Sequence, residues 1–307
     1  MTQGVLAGDR RAVARAISMV EDGAPELAEL SAGLFAHTGR AATIGLTGAP
    51  GVGKSSLAGE LVRAAREHEL SVAVLAIDPT SPFTGGALLG DRLRMQEHAT
   101  DPGVFVRSMA TRGHLGGMAL AAPEAVRILE ASGRDLVMVE TVGVGQAEVD
   151  VAAATDTTLV VVSPGWGDAV QVAKAGILEI ADVFVVNKAD REGAGEAVRD
   201  LKNMIRMGPE FPWTPPVIET SAVERTGIDQ LWDKVQEHHK AQEASGRLQE
   251  KRRARLLIEV ERLAAEQLRG GLRAHLDAWP DLADDLEARR TDPYQAATLL
   301  IERTSGG

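Results

Sequence analysis

An apolar run, AATIGLT, leads into GAPGVGKSS at residues 48–56, and LAGELVRAA then continues with helical spacing. Residues 48–55 fit G-x-x-x-x-G-K-[ST] at every fixed position, with a strand expected before them and a helix after. The chemistry of such a corner is phosphate binding. Gly48, Gly51 and Gly53 allow the backbone N–H groups of the loop, Ala49 and Val52 included, to turn inward, and Pro50 sits in the loop between them. The helix N-terminus adds its positive dipole end. Lys54 is expected to reach the β- and γ-phosphates, Ser55 to place its hydroxyl on Mg²⁺, and Ser56 to contact the α-phosphate.

The tetrapeptide NKAD at 187–190 follows the apolar DVFVV. A carboxylate at Asp190 can accept from both N1–H and the 2-amino group of guanine. Adenine has an acceptor at N1 and no 2-amino group, so the same carboxylate rejects it. Asn187 is expected to hold the base edge and the loop, and Lys188 to lay its stem along the ring plane. SAVERTG at 221–227 ends the next strand candidate, where the Ser221-Ala222-Val223 turn can offer a backbone N–H to the guanine carbonyl oxygen. Together these residues point to GTP and GDP as the nucleotides.

ETVGVGQ at 140–146 ends the strand candidate DLVMVE. Nucleotide hydrolases keep an acid and a glycine at this place: Glu140 for Mg²⁺, and Gly143, whose N–H can reach the γ-phosphate. Gln146 has two readings, a water-orienting side chain or a residue that starts a helix. Asp78 at a strand end and Asp91 in a glycine-rich loop are further carboxylates for the metal or its water shell. Asp91 also reads as a helix cap before RLRM.

Such residues need a scaffold that brings loop after loop to one edge. Apolar strand candidates lie at 43–48, 71–78, 104–109, 135–143, 157–165, 182–190 and 216–222, with helical stretches between most of them. This alternation predicts an α/β fold with a mostly parallel sheet flanked by helices, its ligands beyond the carboxyl ends of the strands. Residues 1–40 read as an N-terminal helical extension. Within it, VLAGDRRAVARAISMVEDG has helical spacing and closes at Asp22-Gly23, and a second short helix follows. Residues 41–243 form the nucleotide domain. Residues 244–307 form a helical arm, with a long helix broken at Gly270-Gly271.

Aromatic residues make up only 3% of 307 residues, so Val, Leu, Ile and Ala must build the core. A net charge of −11 argues against general nucleic-acid binding, and KRRAR at 251–255 is the basic run that stands out. The absence of cysteine excludes disulfides and thiolate chemistry. No apolar run has the roughly 20 residues a membrane span needs, and no secretory signal opens the sequence, so a cytoplasmic protein is expected.

GAPGVGKSS, AIDPTSPFTGGALLGDRLRM, ATRGHLGG, ETVGVGQAEVDVA and NKAD together resemble the MeaB/ArgK-type P-loop GTPases, the methylmalonic aciduria type A protein family of the SIMIBI class. The resemblance spans about residues 5 to 300 and is strongest from 43 to 190. It implies a G-protein chaperone that assists cofactor loading, protection and reactivation of an adenosylcobalamin-dependent acyl-CoA mutase, with a cobalamin adenosyltransferase as a second partner. Methylmalonyl-, isobutyryl-, hydroxyisobutyryl- and ethylmalonyl-CoA mutases all stand as clients. It implies Lys54 and Ser55 on phosphate and Mg²⁺, with Asp78, Asp91 and Glu140 around the metal. It further implies a mobile segment at 163–177, carrying Asp168 and Lys174, that signals nucleotide state, and a homodimer formed through the C-terminal arm. Two other functions compete: a GTPase that delivers nickel, and a kinase acting on a transport protein. The first expects clustered His and Cys, whereas the adjacent His238-His239 pair is placed on a solvent-exposed helix; the second expects an acceptor pocket and a base.

Overall fold

The computed structural model describes residues 1–79, 95–98, 100–111, 118–141, 146–165, 179–208 and 212–305. By its contacts the chain divides into two units, Met1–Arg255 and Leu256–Gly307.

The first unit is built on a seven-stranded sheet. Its strands are β1 (Ala42–Thr47), β2 (Val72–Pro79), β3 (Val104–Thr111), β4 (Leu136–Thr141), β5 (Thr157–Val162), β6 (Val183–Asn187) and β7 (Val217–Thr220), in the order β3-β2-β4-β1-β5-β6-β7. Every pairing is parallel. All seven predicted strands are present, most ending a residue or more earlier than the apolar runs suggest. The polar tails of those runs, such as Lys188–Asp190 after β6, belong to the loops at the carboxyl edge.

Both faces of the sheet are covered, so the strands read as continuous apolar runs. Alternate residues point opposite ways. Val72, Val74, Leu136 and Met138 join Leu57, Leu61, Trp232 and Val235 in one layer. Ala73, Leu75, Val137 and Val139 join Val13, Ile17, Ile128 and Leu129 in the other. The first layer is covered by α4 (Lys54–Glu67) and α8 (Ile228–Ala244). The second is covered by α1 (Thr2–Leu6), α2 (Arg10–Asp22), α3 (Leu27–Leu34) and α5 (Met118–Ala131). A third cluster packs β5 and β6 against α7 (Ala194–Met207) through Val160, Phe184, Val198 and Leu201. Burial of such side chains contributes about 1.5–3 kcal/mol each before entropy is counted. Gly45 lets α6 (Gln146–Ala154) pack directly on β1, since a Cβ there would lie 2.5 Å from the Val151 side chain.

The first predicted helix is two. Gly8 takes φ +70°, and Asp9 then caps α2 by accepting from the Arg11 N–H at 2.8 Å. Gly23, left-handed, closes α2 as expected. In the C-terminal part, α9 (Arg247–Asp277) runs straight through Gly270-Gly271. The predicted break is absent because two glycines cost about 1 kcal/mol each, which the strong helix formers on both sides offset. The second unit continues with α10 (Leu282–Glu287) and α11 (Pro293–Ser305), where the Arg303 guanidinium lies 4.1 Å from the Trp279 ring centroid. Among the described residues no helix is long and apolar enough to cross a membrane.

Candidate functional site

Those predicted residues that are described converge at the carboxyl edge of the sheet because β1 lies at its centre, between β4 and β5. Residues 48–53 leave β1 there and feed α4. Gly48 has φ +136°, and a Cβ on it would lie 2.1 Å from the Val161 carbonyl oxygen of β5. Only glycine fits that approach. Gly51 and Gly53 also have positive φ, at +81° and +95°. Lys54 and Ser55 open α4 and are buried, at 6% and 3% exposed, while Pro50 and Ser56 face solvent. Lys54 Nζ donates to the carbonyls of Gly48 at 2.6 Å and Ala49 at 3.0 Å, so the ammonium sits inside the curl of the loop.

Strand β4 brings Glu140 opposite this corner, in register with Leu46 of β1. The Ser55 hydroxyl donates to Glu140 Oε1 at 2.5 Å, and Glu140 is 1% exposed. A buried hydroxyl touching a buried carboxylate at the start of a helix is an oxygen donor set suited to a hard cation. Asp78 falls in β2, and Gln146 is the first residue of α6. Asp91, Gly143, Asp168 and Lys174 lie outside the described residues.

The residues expected to read the base follow β6 and β7, paired in register at Asn187 and Thr220. Asn187 is 1% exposed and its amide is fully used. Nδ2 donates to the Val52 carbonyl at 2.9 Å and the Gly53 carbonyl at 3.4 Å. Oδ1 accepts from the Thr220 hydroxyl at 3.2 Å and the Ala222 N–H at 3.3 Å. Of its two expected roles, holding the base edge and holding the loop, these contacts serve the second. They also engage the Ala222 N–H, one of the backbone donors of the turn expected to serve the base.

Lys188, with φ +60°, donates from Nζ to the Gly51 carbonyl at 2.5 Å, so its stem crosses toward the phosphate loop. Asp190 is exposed and accepts from the Ser221 hydroxyl at 2.6 Å, a bond that holds its carboxyl below the usual carboxylate range. Val223 is 87% exposed at the tip of the turn. This turn is closed by the paired amides and carbonyls of Ser221 and Thr226 and by Gly227, whose Cβ would lie 2.0 Å from the Glu219 carbonyl oxygen.

At the amino edge of the sheet Lys251, Arg252 and Arg255 of the basic run KRRAR are spent internally. Arg252 donates to both oxygens of Asp156, at 3.2 and 2.6 Å, and to the carbonyls of Gly39 and Ala41. Arg255 pairs with the same carboxylate. Burial pushes the Asp156 carboxyl up, but the two guanidinium groups outweigh it and bring it down to about 2. Lys251 lies 3.6 Å from Asp182. His238, expected on a solvent-exposed face, is 1% exposed, with Nδ1 2.9 Å from the Thr157 hydroxyl and Nε2 3.2 Å from Asp182. The expectation failed because α8 turns that face onto the starts of β5 and β6. The sequence signal was the i, i+3 spacing of Arg252 and Arg255, which says that both leave α9 together but not what they meet.

With this geometry in view, comparison with known proteins is decisive. The family model described as methylmalonyl Co-A mutase-associated GTPase MeaB matches residues 13–276. The chain belongs to the MeaB family and is a GTPase. A Pyrococcus abyssi relative of this MeaB-family chain is 48% identical over 98% of it and 94% of its own length. GTPase ArgK of Escherichia coli is 36% identical, covering 88% and 84% of the two chains. The mitochondrial methylmalonic aciduria type A homolog of Mus musculus is 33% identical over 97% of the MeaB-family chain and 77% of its own. A solved structure described as an LAO/AO transport system kinase superposes with a TM-score of 0.73 at 26% identity, covering 99% of this chain and 96% of that one. The fold is therefore that of a P-loop GTPase.

Proposed function

We propose that this GTPase uses its nucleotide cycle to assist an adenosylcobalamin-dependent acyl-CoA mutase, methylmalonyl-CoA mutase being the leading client, in loading, protecting and recovering its cofactor. The observation that carries this reading is the family match over residues 13–276, whose description names the mutase. The name of the mouse relative supports the same direction.

In this reading residues 48–56 cradle the phosphates, with Lys54 as the point charge and the Gly143 N–H on the γ-phosphate. Ser55, Glu140, Asp78 and Asp91 hold Mg²⁺, and the buried contact between Ser55 and Glu140 supports that assignment. The ion supplies charge neutralisation for the phosphates when bound. Asp190 reads guanine, Asn187 and Lys188 brace the loops, and Gln146 orients water. Catalysis is positioning and charge neutralisation by fixed donors, with no covalent intermediate. Asp168 and Lys174 signal nucleotide state to the mutase. The Ser221 hydroxyl, which donates to Asp190 at 2.6 Å and holds its carboxylate beside the 221–227 turn, supports a guanine site over the kinase reading.

A homodimer formed through α9 is part of the proposal. Leu257, Val260 and Leu268, each 63% exposed, follow one another at helical spacing along one stripe of that helix. Within the second unit, such a stripe suits a second copy of the same helix.

The decisive experiment is single-turnover GTP hydrolysis with and without purified methylmalonyl-CoA mutase. Slow intrinsic turnover that rises at least about tenfold with mutase is expected, because a partner that orders switch loops acts on the transition state. Fast turnover by the isolated protein, unchanged by mutase, removes the chaperone reading and leaves the GTPase intact.

A further inference from the structure

At the amino edge of the sheet, away from the phosphate loop, three guanidinium groups from three elements meet at one turn. Arg10 opens α2, Arg66 lies near the end of α4, and Arg134 precedes β4. All three reach residues 101–104, the turn into β3. Arg66 is spent: it donates to both oxygens of Asp101, at 2.8 and 3.3 Å, and to the Leu70 carbonyl at 2.8 Å. Its Cζ packs so closely on Gly103 that a Cβ there would lie 2.4 Å away. Asp135, the other carboxylate nearby, accepts from the Ser71 N–H and hydroxyl at 2.8 and 2.6 Å.

Arg10 and Arg134 have no such partner. Arg10 donates to the Val104 carbonyl at 2.7 Å and lies over Phe105 with its Cζ 5.6 Å from the ring centroid. Arg134 makes one bond of 3.3 Å to the Gly103 carbonyl, and its buried Nε–H has no acceptor. Among the described residues no carboxylate forms an ion pair with either. Burial lowers the Arg134 pKa and the charge of Arg10 lowers it further, against the Asp135 charge, which raises it, so the two cations are close enough to repel. In a chain of net charge −11, a pair of cations with no carboxylate hydrogen-bonded to either among the described residues marks a place where a negative ligand gains more than it loses in desolvation.

We propose that Arg10 and Arg134 form a binding site for a tetrahedral oxyanion of the phosphate class, free or esterified, distinct from the nucleotide site at the opposite edge. The ligand accepts from the open donors of both guanidinium groups, and Arg66 and Gly103 fix the floor.

The test uses the full chain saturated with Mg²⁺ and GDP, so that the phosphate loop is filled, and titrates inorganic phosphate by calorimetry. Saturable binding is expected. Arg10→Gln and Arg134→Gln each weaken it about tenfold, the loss of one charge-assisted hydrogen bond. Lys202→Gln, an exposed cation on α7, leaves it unchanged. GDP affinity, read in parallel, reports that each variant folds; if Arg134→Gln does not, the exposed Arg10→Gln carries the test. A glycerol phosphate arm separates the two sources: tighter binding than inorganic phosphate assigns an esterified ligand, weaker binding a free ion. No binding, or equal binding by wild type and both variants, means an adventitious ion only and overturns the site.

Discussion

The side-chain amide of Asn187 bonds to the Val52 carbonyl at 2.9 Å, joining the end of β6 to the phosphate loop across 135 residues of sequence. The same amide holds Thr220 and Ala222, so the phosphate loop, the tetrapeptide at 187–190 and the 221–227 turn share one buried side chain. Gly53 makes this possible: a Cβ there would lie 2.4 Å from Asn187 Nδ2.

Replacing Asn187 by Ala takes its partner from the Val52 carbonyl, the Thr220 hydroxyl and the Ala222 amide, while the Gly53 carbonyl keeps the Leu57 N–H. Each buried group left unpaired costs about 1–3 kcal/mol, less where water enters. Asn187→Ala is expected to lower the urea stability by about 2 kcal/mol or more and to weaken GDP at least about tenfold, read with a fluorescent GDP analogue. Unchanged nucleotide affinity alongside lost stability would show that the brace does not organise the site.

Asp190 gives a test of the base. Its carboxylate suits a purine that donates twice. Asp190→Asn keeps one acceptor but turns the other group into a donor, which matches the 2-carbonyl of xanthine. GTP affinity is expected to fall by about 10²-fold or more while xanthosine triphosphate becomes a ligand, since a mismatched buried polar pair discriminates by such factors. Competition binding with both nucleotides reads this directly, and continued preference for GTP sinks the assignment.

The phosphate loop contains a matched pair of glycines. Gly48→Ala forces a Cβ to 2.1 Å from the Val161 carbonyl oxygen and strains a φ of +136°, whereas Gly51→Ala meets open space at φ +81°. The first is expected to cost several times the roughly 1–2 kcal/mol of left-handed strain that the second carries. Urea denaturation of the two variants checks the ratio; equal losses contradict the close approach of β1 and β5.

Asp156 makes stability depend on acid. Burial raises its carboxyl, Arg252 and Arg255 outweigh that, and the folded value lies at about 2 against 3.8 for an unperturbed aspartate. A depressed carboxyl contributes stability fully above its unfolded value and loses it as pH falls through the folded one. The contribution is about 2 kcal/mol, disappearing between about pH 4 and pH 2. Asp182, also lowered, with burial opposed by His238 and Lys251, adds in the same direction. Urea midpoints from pH 5 to 2.5 should fall in wild type and fall less steeply in Asp156→Asn. That variant starts about 3 kcal/mol lower at neutral pH, having left two guanidinium groups half-buried without their charge partner.

The sequence by itself determined the parallel α/β sheet, the glycine-lysine corner between β1 and α4, and the place of the NKAD tetrapeptide after β6. Those signals are local: an apolar run fixes a strand, a glycine–lysine spacing fixes a turn before a helix, and each stays within about ten residues. Family membership was legible for the same reason, as several such motifs in one order. The tertiary structure decided how side chains far apart in sequence meet. Asn187 as a brace, His238 as a buried residue and KRRAR as a clamp on Asp156 depend on which strand ends lie side by side, across separations of 81 to 135 residues. A buried amide and a solvated one look alike in sequence, and a basic run carries no mark of the carboxylate it meets. Whether a polar group faces water or a partner follows from packing, and packing exists only once the sheet order β3-β2-β4-β1-β5-β6-β7 has formed.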